Sequence, residues 1–388
     1  MGQTYKFGRG TWATKEGSTL AYNDEGNNYK PLPFSFERDS IATRVNKEGL
    51  IEVVGKDIPR IDYTDSADGV LLLENSATNL YSYSNKSSEW LKTNWTTTDN
   101  YAISPDGTQN AFRAVSLNTS GILYQTATGS SGVNTLSVYA KSNTSTNQKF
   151  RFFGNGNTLT SDDFTVTNEW KRIEFSYTYS SVTAGIKGAS NELSDILFFG
   201  FQHEVNDFAT SYIPTSGSSV QRAAETANGS GNSEVFNDSE GVLFADISAL
   251  ADDGVNKFIS ISDGTIGNRI NIVFDTSNNI NARQAPGSVN ISTSGVNILN
   301  SNKIAYEYQS GSQELWVNGF KIGETSVTSL PSGLDRLNFD SFNGGDDMYA
   351  KTKELGYYDT ALTDEELEYM TSYRSLNELV TELNLNTL

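Results

Sequence analysis

Side chains able to do acid–base or nucleophilic work are sparse in this chain. One histidine, His203, and no cysteine occur in 388 residues. Neither a zinc site with paired histidines nor a Cys–His dyad can be built from that set. No G-x-S-x-G elbow, P-loop or G-x-G-x-x-G string occurs. Glycosidase chemistry needs two carboxylates flanking one scissile bond. An E-x-D-x-x-E string would place them alternately along a strand, and it is absent. The acidic pairs Asp162-Asp163, Asp252-Asp253 and Asp346-Asp347 are adjacent, so on a strand their side chains would point to opposite faces. These residues predict a protein that is not an enzyme.

Binding chemistry is better represented. Hard cations want oxygen ligands from loops, and Asp340, Asn343, Asp346 and Asp347 cluster around Gly344-Gly345. The cluster reads either as a calcium rim or as an acidic solvated turn. Glycans want aromatic faces beside amides and carboxylates. Trp90, Trp95, Tyr101 and Tyr124 are the glycan-binding candidates, although Trp90 and Trp170 fit a hydrophobic core equally well. The first 30 residues are polar and glycine-spotted, yet carry Tyr5, Phe7, Trp12, Tyr22 and Tyr29. Burying a large aromatic is worth roughly 1.5–3 kcal/mol. These five are therefore expected to anchor an otherwise unstructured arm on a partner surface.

The elements that must position these groups are strands. Only 36% of the residues are hydrophobic and 19% charged, with Ser, Thr, Asn and Gly filling the loops. Short apolar or alternating runs recur between turn clusters: "GVLLLE" (69–74), "TLSVYAK" (135–141), "DILFFGFQHEV" (195–205), "RINIVFD" (269–275). That spacing predicts β-sandwiches or jelly rolls. Asn318-Gly319 between apolar runs predicts a type I′ hairpin. Asn46–Gly49 predicts a second turn, joining strands within 41–54. The polar stretch 221–237 reads as a flexible linker. The expected organisation is all-β, with two jelly-roll sandwiches in tandem. An N-terminal arm and hairpin adaptor occupies 1–68, a first sandwich 69–220, a second 238–372 and a C-terminal helix 373–388. Thr363–Glu366 and Ser375–Glu378 each read as a capping box. The stripe Leu376, Leu379, Val380 and Leu383 predicts self-association, with a trimer favoured over a dimer. The formal net charge of −19, from 47 acidic against 28 basic residues, opposes binding to nucleic acid or anionic membrane. No run of about 18 apolar residues predicts a membrane span, and the first ten residues carry no apolar signal-type segment.

Some of these residues also carry a resemblance. Phe36-x-Arg38-x-Ser40-x-Ala42-Thr43-Arg44-Val45-Asn46, Pro59-Arg60-Ile61-Asp62-Tyr63, Leu71–Glu74 and Thr78-Asn79-Leu80 resemble a preamble found in structural proteins of tailed bacteriophages. "FGFQHEVNDFATSYIPTSG" (199–217) is similar to the end of their carbohydrate-binding-module-like jelly roll. "KELGYYDTALTDEELEYM" (353–370) is similar to the end of a laminin-G/concanavalin-like sandwich. The loop "ENSATNL" (74–80) departs from the pattern. The resemblance implies a capsid decoration or head-fibre protein, with a tail fibre as the alternative. Its partners would be other virion proteins and surface glycans, and its place the virion surface after synthesis in the host cytoplasm. It also implies calcium on the rim of the second sandwich. A free carbohydrate-binding or glycan-degrading protein is the reading from another class. The hairpin at 41–54 would then be either an adaptor between arm and sandwiches or the first strands of the jelly roll.

Overall fold

A computed structural model describes residues 3–7, 11–15, 18–23, 29–30, 34–126, 132–178, 183–373, 375, 378 and 380. Within these, 3–6, 11–15, 18–23, 29–30 and 155 are described by backbone alone. The fold is all-β, built as two sandwich units. One unit is inserted into the other along the chain. The inserted unit comprises 40–54 and 76–223, and the host unit 1–39, 55–75 and 224–388.

The inserted unit stacks two antiparallel sheets. Its five-stranded sheet runs in the order Trp95–Ala102, Ala111–Ser116, Asp195–Glu204, Val133–Ser142, Lys171–Thr178. The facing six-stranded sheet runs Leu91–Thr93, Ile122–Thr126, Thr183–Gly188, Gln148–Gly154, Leu159–Thr160, with Phe164–Val166 also on Gln148–Gly154. Period-2 alternation explains the packing. Leu136, Val138 and Ala140 face inward to meet Phe112, Phe150, Phe152, Ile186, Phe198 and Phe201. The hairpin Ala42–Val45/Ile51–Val54 belongs to this unit rather than to an N-terminal adaptor. Ile51 packs with Ala111, Phe199 and Tyr212 outside the main core, and its N–H donates to Pro105 O at 2.9 Å. Gly49, with φ +80°, closes the turn as its sequence predicts.

The host unit pairs an eight-stranded sheet with a five-stranded one. The first contains Phe320–Thr325, Ser312–Val317, Asn302–Gln309, Glu240–Ala249, Ala350–Tyr358, Val70–Leu73 and Arg60–Asp62, with Gln3–Lys6 also on Ala350–Tyr358. The second runs Val289–Ser292, Ile280–Ala285, Arg269–Phe274, Lys257–Ser262, Arg336–Asn338. Asn318 and Gly319 both have positive φ, as a type I′ turn requires. The helix Asp364–Thr371 starts with the expected Thr363/Glu366 capping box and buries Leu367 beside Val242, Phe244 and Trp316.

Three expectations change here. "GVLLLE" forms a buried strand, but it pairs with Ala350–Tyr358 in the host unit rather than with the sandwich that follows it in sequence. The N-terminal segment joins its own chain. Gln3–Lys6 adds to the host sheet, and Phe7 is fully buried against Phe34 and Phe339, at 6.4 and 6.3 Å between ring centres. Phe7 is thus a core residue. The backbone of Tyr5, Trp12, Tyr22 and Tyr29 lies in short strands, and their side chains fall outside the described residues. The stretch 221–237 is ordered throughout, with Thr226–Asn228 paired to Ser35–Glu37. Of the C-terminal stripe, Leu376, Leu379 and Leu383 lie outside the described residues.

The supposed linker contains the host unit's ionic centre. Glu225 is 1% exposed. Its carboxylate accepts from Arg38 Nη1 at 2.7 Å, from Arg60 Nε at 2.8 Å and from the Glu74 N–H at 2.9 Å. Arg60 Nη2 also reaches Glu74 at 2.8 Å. Arg38 Nη1 donates to Ile58 O at 3.0 Å, and its N–H to Asp57 at 2.8 Å. Burial works against the Arg60 charge, but Glu225 and Glu74 more than offset it and hold its pKa above the ordinary value. The network ties together all three chain segments of the host unit.

Candidate functional site

In the inserted unit, the sequence motif around 211–217 folds back under Gln202 and Glu204. Gln202 Oε1 accepts from the Ile213 N–H at 2.6 Å, and Glu204 Oε1 from Thr210 Oγ1 at 2.5 Å. Asn79 fixes the same return, donating to Phe201 O at 3.0 Å and Ile213 O at 2.9 Å. These clamps present Tyr212, Pro214, Thr215 and Ser216 along one wall of a cleft of about 440 Å³. Tyr83–Lys86 form a second wall, and Asp99, Asn100 and Asn110 complete it.

The cleft has a fixed polar lining. Tyr212 OH bonds Ser84 Oγ at 2.6 Å and accepts from Asn85 Nδ2 at 2.9 Å. Asn85 Oδ1 accepts from the Gly200 N–H at 2.5 Å. Burial raises the Tyr212 hydroxyl well above its usual range, so it remains a neutral donor and acceptor. Asp99 Oδ1 accepts from the Ser87 N–H at 2.7 Å and Oδ2 from the Ser88 N–H at 3.2 Å. Burial pushes the Asp99 carboxyl up, yet the Ser87 and Ser88 hydrogen bonds outweigh it and hold it below the ordinary carboxylate range. Lys86 Nζ lies 5.5 Å from the centre of the Tyr83 ring. The half-buried ring, three asparagine amides and an ionised carboxylate match the needs of a polyhydroxylated ligand. Asp99 is the one carboxylate among the described lining residues, and glycoside hydrolysis requires two.

The residues singled out from sequence are dispersed. Trp90 and Trp95 are 3% and 4% exposed, within the sandwich core. Trp90 packs at 4.5 Å from Phe201, and its Nε1–H donates to Tyr83 O at 2.9 Å. It supports the cleft wall from behind and presents no face to a ligand. Tyr101 is exposed on the five-stranded sheet beneath Arg113, which Asp195 grips at 2.8 and 2.6 Å. Tyr124 is half-buried on the other sheet, edge-on to Phe153. They share no site. Sequence reasoning missed Tyr83, Asn85, Asp99 and Tyr212. The only advance signal was "TSYIPTSG", which marked a motif without assigning it a role.

His203 is fully buried, its Nε2 3.2 Å from Asn134 Oδ1 and 3.4 Å from Tyr177 OH. Burial pushes its pKa down to about 4, so it is a neutral core residue near pH 7. In the host unit, the carboxylates of Asp340 and Asp347 in the acidic loop make local hydrogen bonds. Asp340 Oδ1 accepts from the Phe342 N–H and Oδ2 from the Gly344 N–H, both at 2.8 Å. Asp347 Oδ2 accepts from Tyr349 OH at 3.0 Å, while Asn343 and Asp346 are exposed. Among the described residues no three Asp, Glu or His side chains converge as an ion would require.

No family model matches this chain, and no curated protein matches it. Among solved structures it is similar to the CBM40 module of the Ruminococcus gnavus IT-sialidase. That module is 15% identical, and the match covers 37% of this chain and 94% of that chain at a TM-score of 0.31. Domain 4 of AbnA, a GH43 extracellular arabinanase from Geobacillus stearothermophilus, is 11% identical over 43% of this chain and 84% of its own, with a TM-score of 0.33. The CBM22-1–CBM22-2 tandem of Paenibacillus barcinonensis Xyn10C is 11% identical over 74% of this chain and 100% of its own, with a TM-score of 0.28. Similarity this slight fixes no ligand and no activity.

Proposed function

We propose that this is a non-catalytic glycan-binding protein of a tailed-phage particle surface, a head fibre or capsid decoration, whose inserted unit takes sugars in the cleft between Tyr83 and Tyr212. The observation that carries the glycan reading is the cleft lining. An aromatic face stands beside Asn85, Asn100 and the ionised Asp99, with Tyr212 held in place by Ser84 and Asn85. Such groups exchange hydrogen bonds with hydroxyls while the ring covers a sugar face. A single lining carboxylate supports a binding role without hydrolysis. The particle reading is supported by the resemblance of residues 34–80 and 199–217 to phage structural proteins.

The test is a glycan array probed with the full chain, followed by titration of the best ligand. Binding without cleavage that weakens at least tenfold in Tyr83→Ala and Asp99→Asn is expected. A protein that binds no glycan, or whose cleft variants bind undiminished, would refute the reading. Labelled antibody on purified particles checks the mounting, with label at the head expected and label at the tail favouring the fibre alternative.

A further inference from the structure

The charges around the cleft of the inserted unit are already answered by the protein itself. Lys86 is the one cation among the described lining residues. Its Nζ donates to Glu89 Oε1 at 2.8 Å, and that hydrogen bond raises its pKa. The lining carboxylate, Asp99, accepts from the Ser87 and Ser88 N–H groups at 2.7 and 3.2 Å. Asn110, also on the lining, donates through Nδ2 to Asp106 at 2.7 Å, and the Thr108 N–H reaches the same carboxylate at 2.8 Å. Asp106 is close enough to add its charge to the burial that raises the Tyr212 hydroxyl. Lys92 lies outside the lining, its Nζ donating to Ser87 O at 3.1 Å and to Thr97 Oγ1 at 3.0 Å. One lining cation thus meets the carboxylates of Glu89, Asp99 and Asp106.

The groups left over on the lining are uncharged and reachable. Asn100 and Ser216 are exposed, and Tyr83 is half-buried. The Tyr83 hydroxyl, the Asn100 amide and the Ser216 hydroxyl have no hydrogen-bond partner among the described residues. Recognition of a carboxylate or a sulfate is carried by cations able to make charge-assisted hydrogen bonds. No arginine stands among the described lining residues, and the lysine there is held by Glu89. An anion entering the cleft would have to draw Lys86 from Glu89 while facing Asp99 and Asp106. Repulsion between like charges is stronger in a partly dry cleft than in open water.

We propose that the cleft selects neutral saccharides and rejects acidic ones, because the hydrogen-bonding groups it leaves free are uncharged and its surroundings are net acidic. This inference rests on the glycan reading of the cleft and adds the class of glycan taken. Hydroxyls of a neutral sugar exchange hydrogen bonds with Tyr83, Asn100 and Ser216 without displacing an ion pair. A sialic acid, a uronic acid or a sulfated sugar brings a charge for which no free cation waits.

The experiment applies the full chain to an array of matched pairs, each neutral oligosaccharide beside its sialylated, uronate or sulfated counterpart. The best pair is then titrated with wild type, Asn100→Gly and Ser216→Lys. Glycine removes the Asn100 amide while keeping a backbone whose φ is +53°, and the lysine supplies a free cation at the mouth. Thermal unfolding of each variant checks its fold. The neutral member is expected to bind wild type at least tenfold more tightly than the acidic one. Its affinity should change less than twofold between roughly 0.05 and 0.5 M salt. Asn100→Gly should weaken it severalfold, and Ser216→Lys should narrow the gap severalfold by admitting the acidic member. Acidic members that bind wild type as tightly as neutral ones, or an undiminished gap in Ser216→Lys, overturn the selectivity and leave the glycan reading standing. Binding to no member of any pair overturns both. If a variant fails to fold, the wild-type comparison across pairs and its salt dependence decide.

Discussion

The two units solve the same problem of joining distant chain segments by different chemistry. The host unit, made of three segments, is tied at its centre by charge: Arg38, Arg60, Glu74 and Glu225 form one buried network. The inserted unit is tied mainly by amides, with Asn79 and Gln202 holding the return at 201–213 beside the single carboxylate of Glu204, and by an aromatic core. Its buried titratable base, His203, stays uncharged near pH 7. A buried ion network is intolerant of losing one member because the remaining charge is stranded. The amide clamp leaves no arginine to be stranded but sits beside a histidine that must not acquire a proton. The two units should therefore fail under different insults.

The largest expected effect is in the host unit. Glu225→Gln strands Arg38, leaves Arg60 with Glu74 alone and should cost about 3–5 kcal/mol. Denaturant unfolding should show the loss, and hydrogen exchange should confine it to strands such as Ala350–Tyr358. Equal loss of protection in Asp195–Glu204 would break the contrast. Phe7→Ala tests whether the N-terminal segment belongs to this core. Removing a fully buried phenylalanine should destabilise the host unit by about 3–5 kcal/mol, whereas an arm that anchors only to a partner would leave the isolated chain's stability unchanged.

Acid should strike the inserted unit. The unfolded histidine titrates near 6.5 and the folded one near about 4. Between those values the unfolded state binds more protons, so stability falls with pH across that window, by up to about 3 kcal/mol. The term is fully present above 6.5 and lost by the time pH has dropped through the folded value. Unfolding midpoints from pH 7 to 4 in wild type and His203→Gln check this, with the variant losing that slope. A similar slope in the variant would assign the acid sensitivity to carboxylates instead.

Smaller effects separate binding from packing. Tyr101→Ala and Tyr124→Ala lie outside the cleft and should change glycan affinity by less than about twofold, under 0.5 kcal/mol, in the titration that shows tenfold losses for cleft variants. The smallest expected effect concerns the acidic loop. Chelator should leave the host unit's melting temperature unchanged, since Asp340 spends its oxygens on backbone N–H groups. A chelator-induced drop would return calcium to that loop.

The sequence by itself determined what is local. Alternating apolar residues over 135–141 became an inward face, Asn318-Gly319 became a type I′ turn, and Thr363–Glu366 capped a helix. Each signal depends on periodicity or on the φ preferences of a few neighbouring residues, and both are written in short strings. Tertiary structure alone decided which strands share a sheet, because pairing partners such as Leu72 and Lys351 lie far apart in sequence and apolar strands carry no address. It sent Trp90 and Trp95 inward and left Tyr83 in a cleft, since a tryptophan in a string reads the same whichever face it takes. It also turned Glu225, a lone carboxylate in a polar stretch, into the centre of an ion network. A buried charge is stable only where its partners converge, and Arg38, Arg60 and Glu74 converge on it only through the fold.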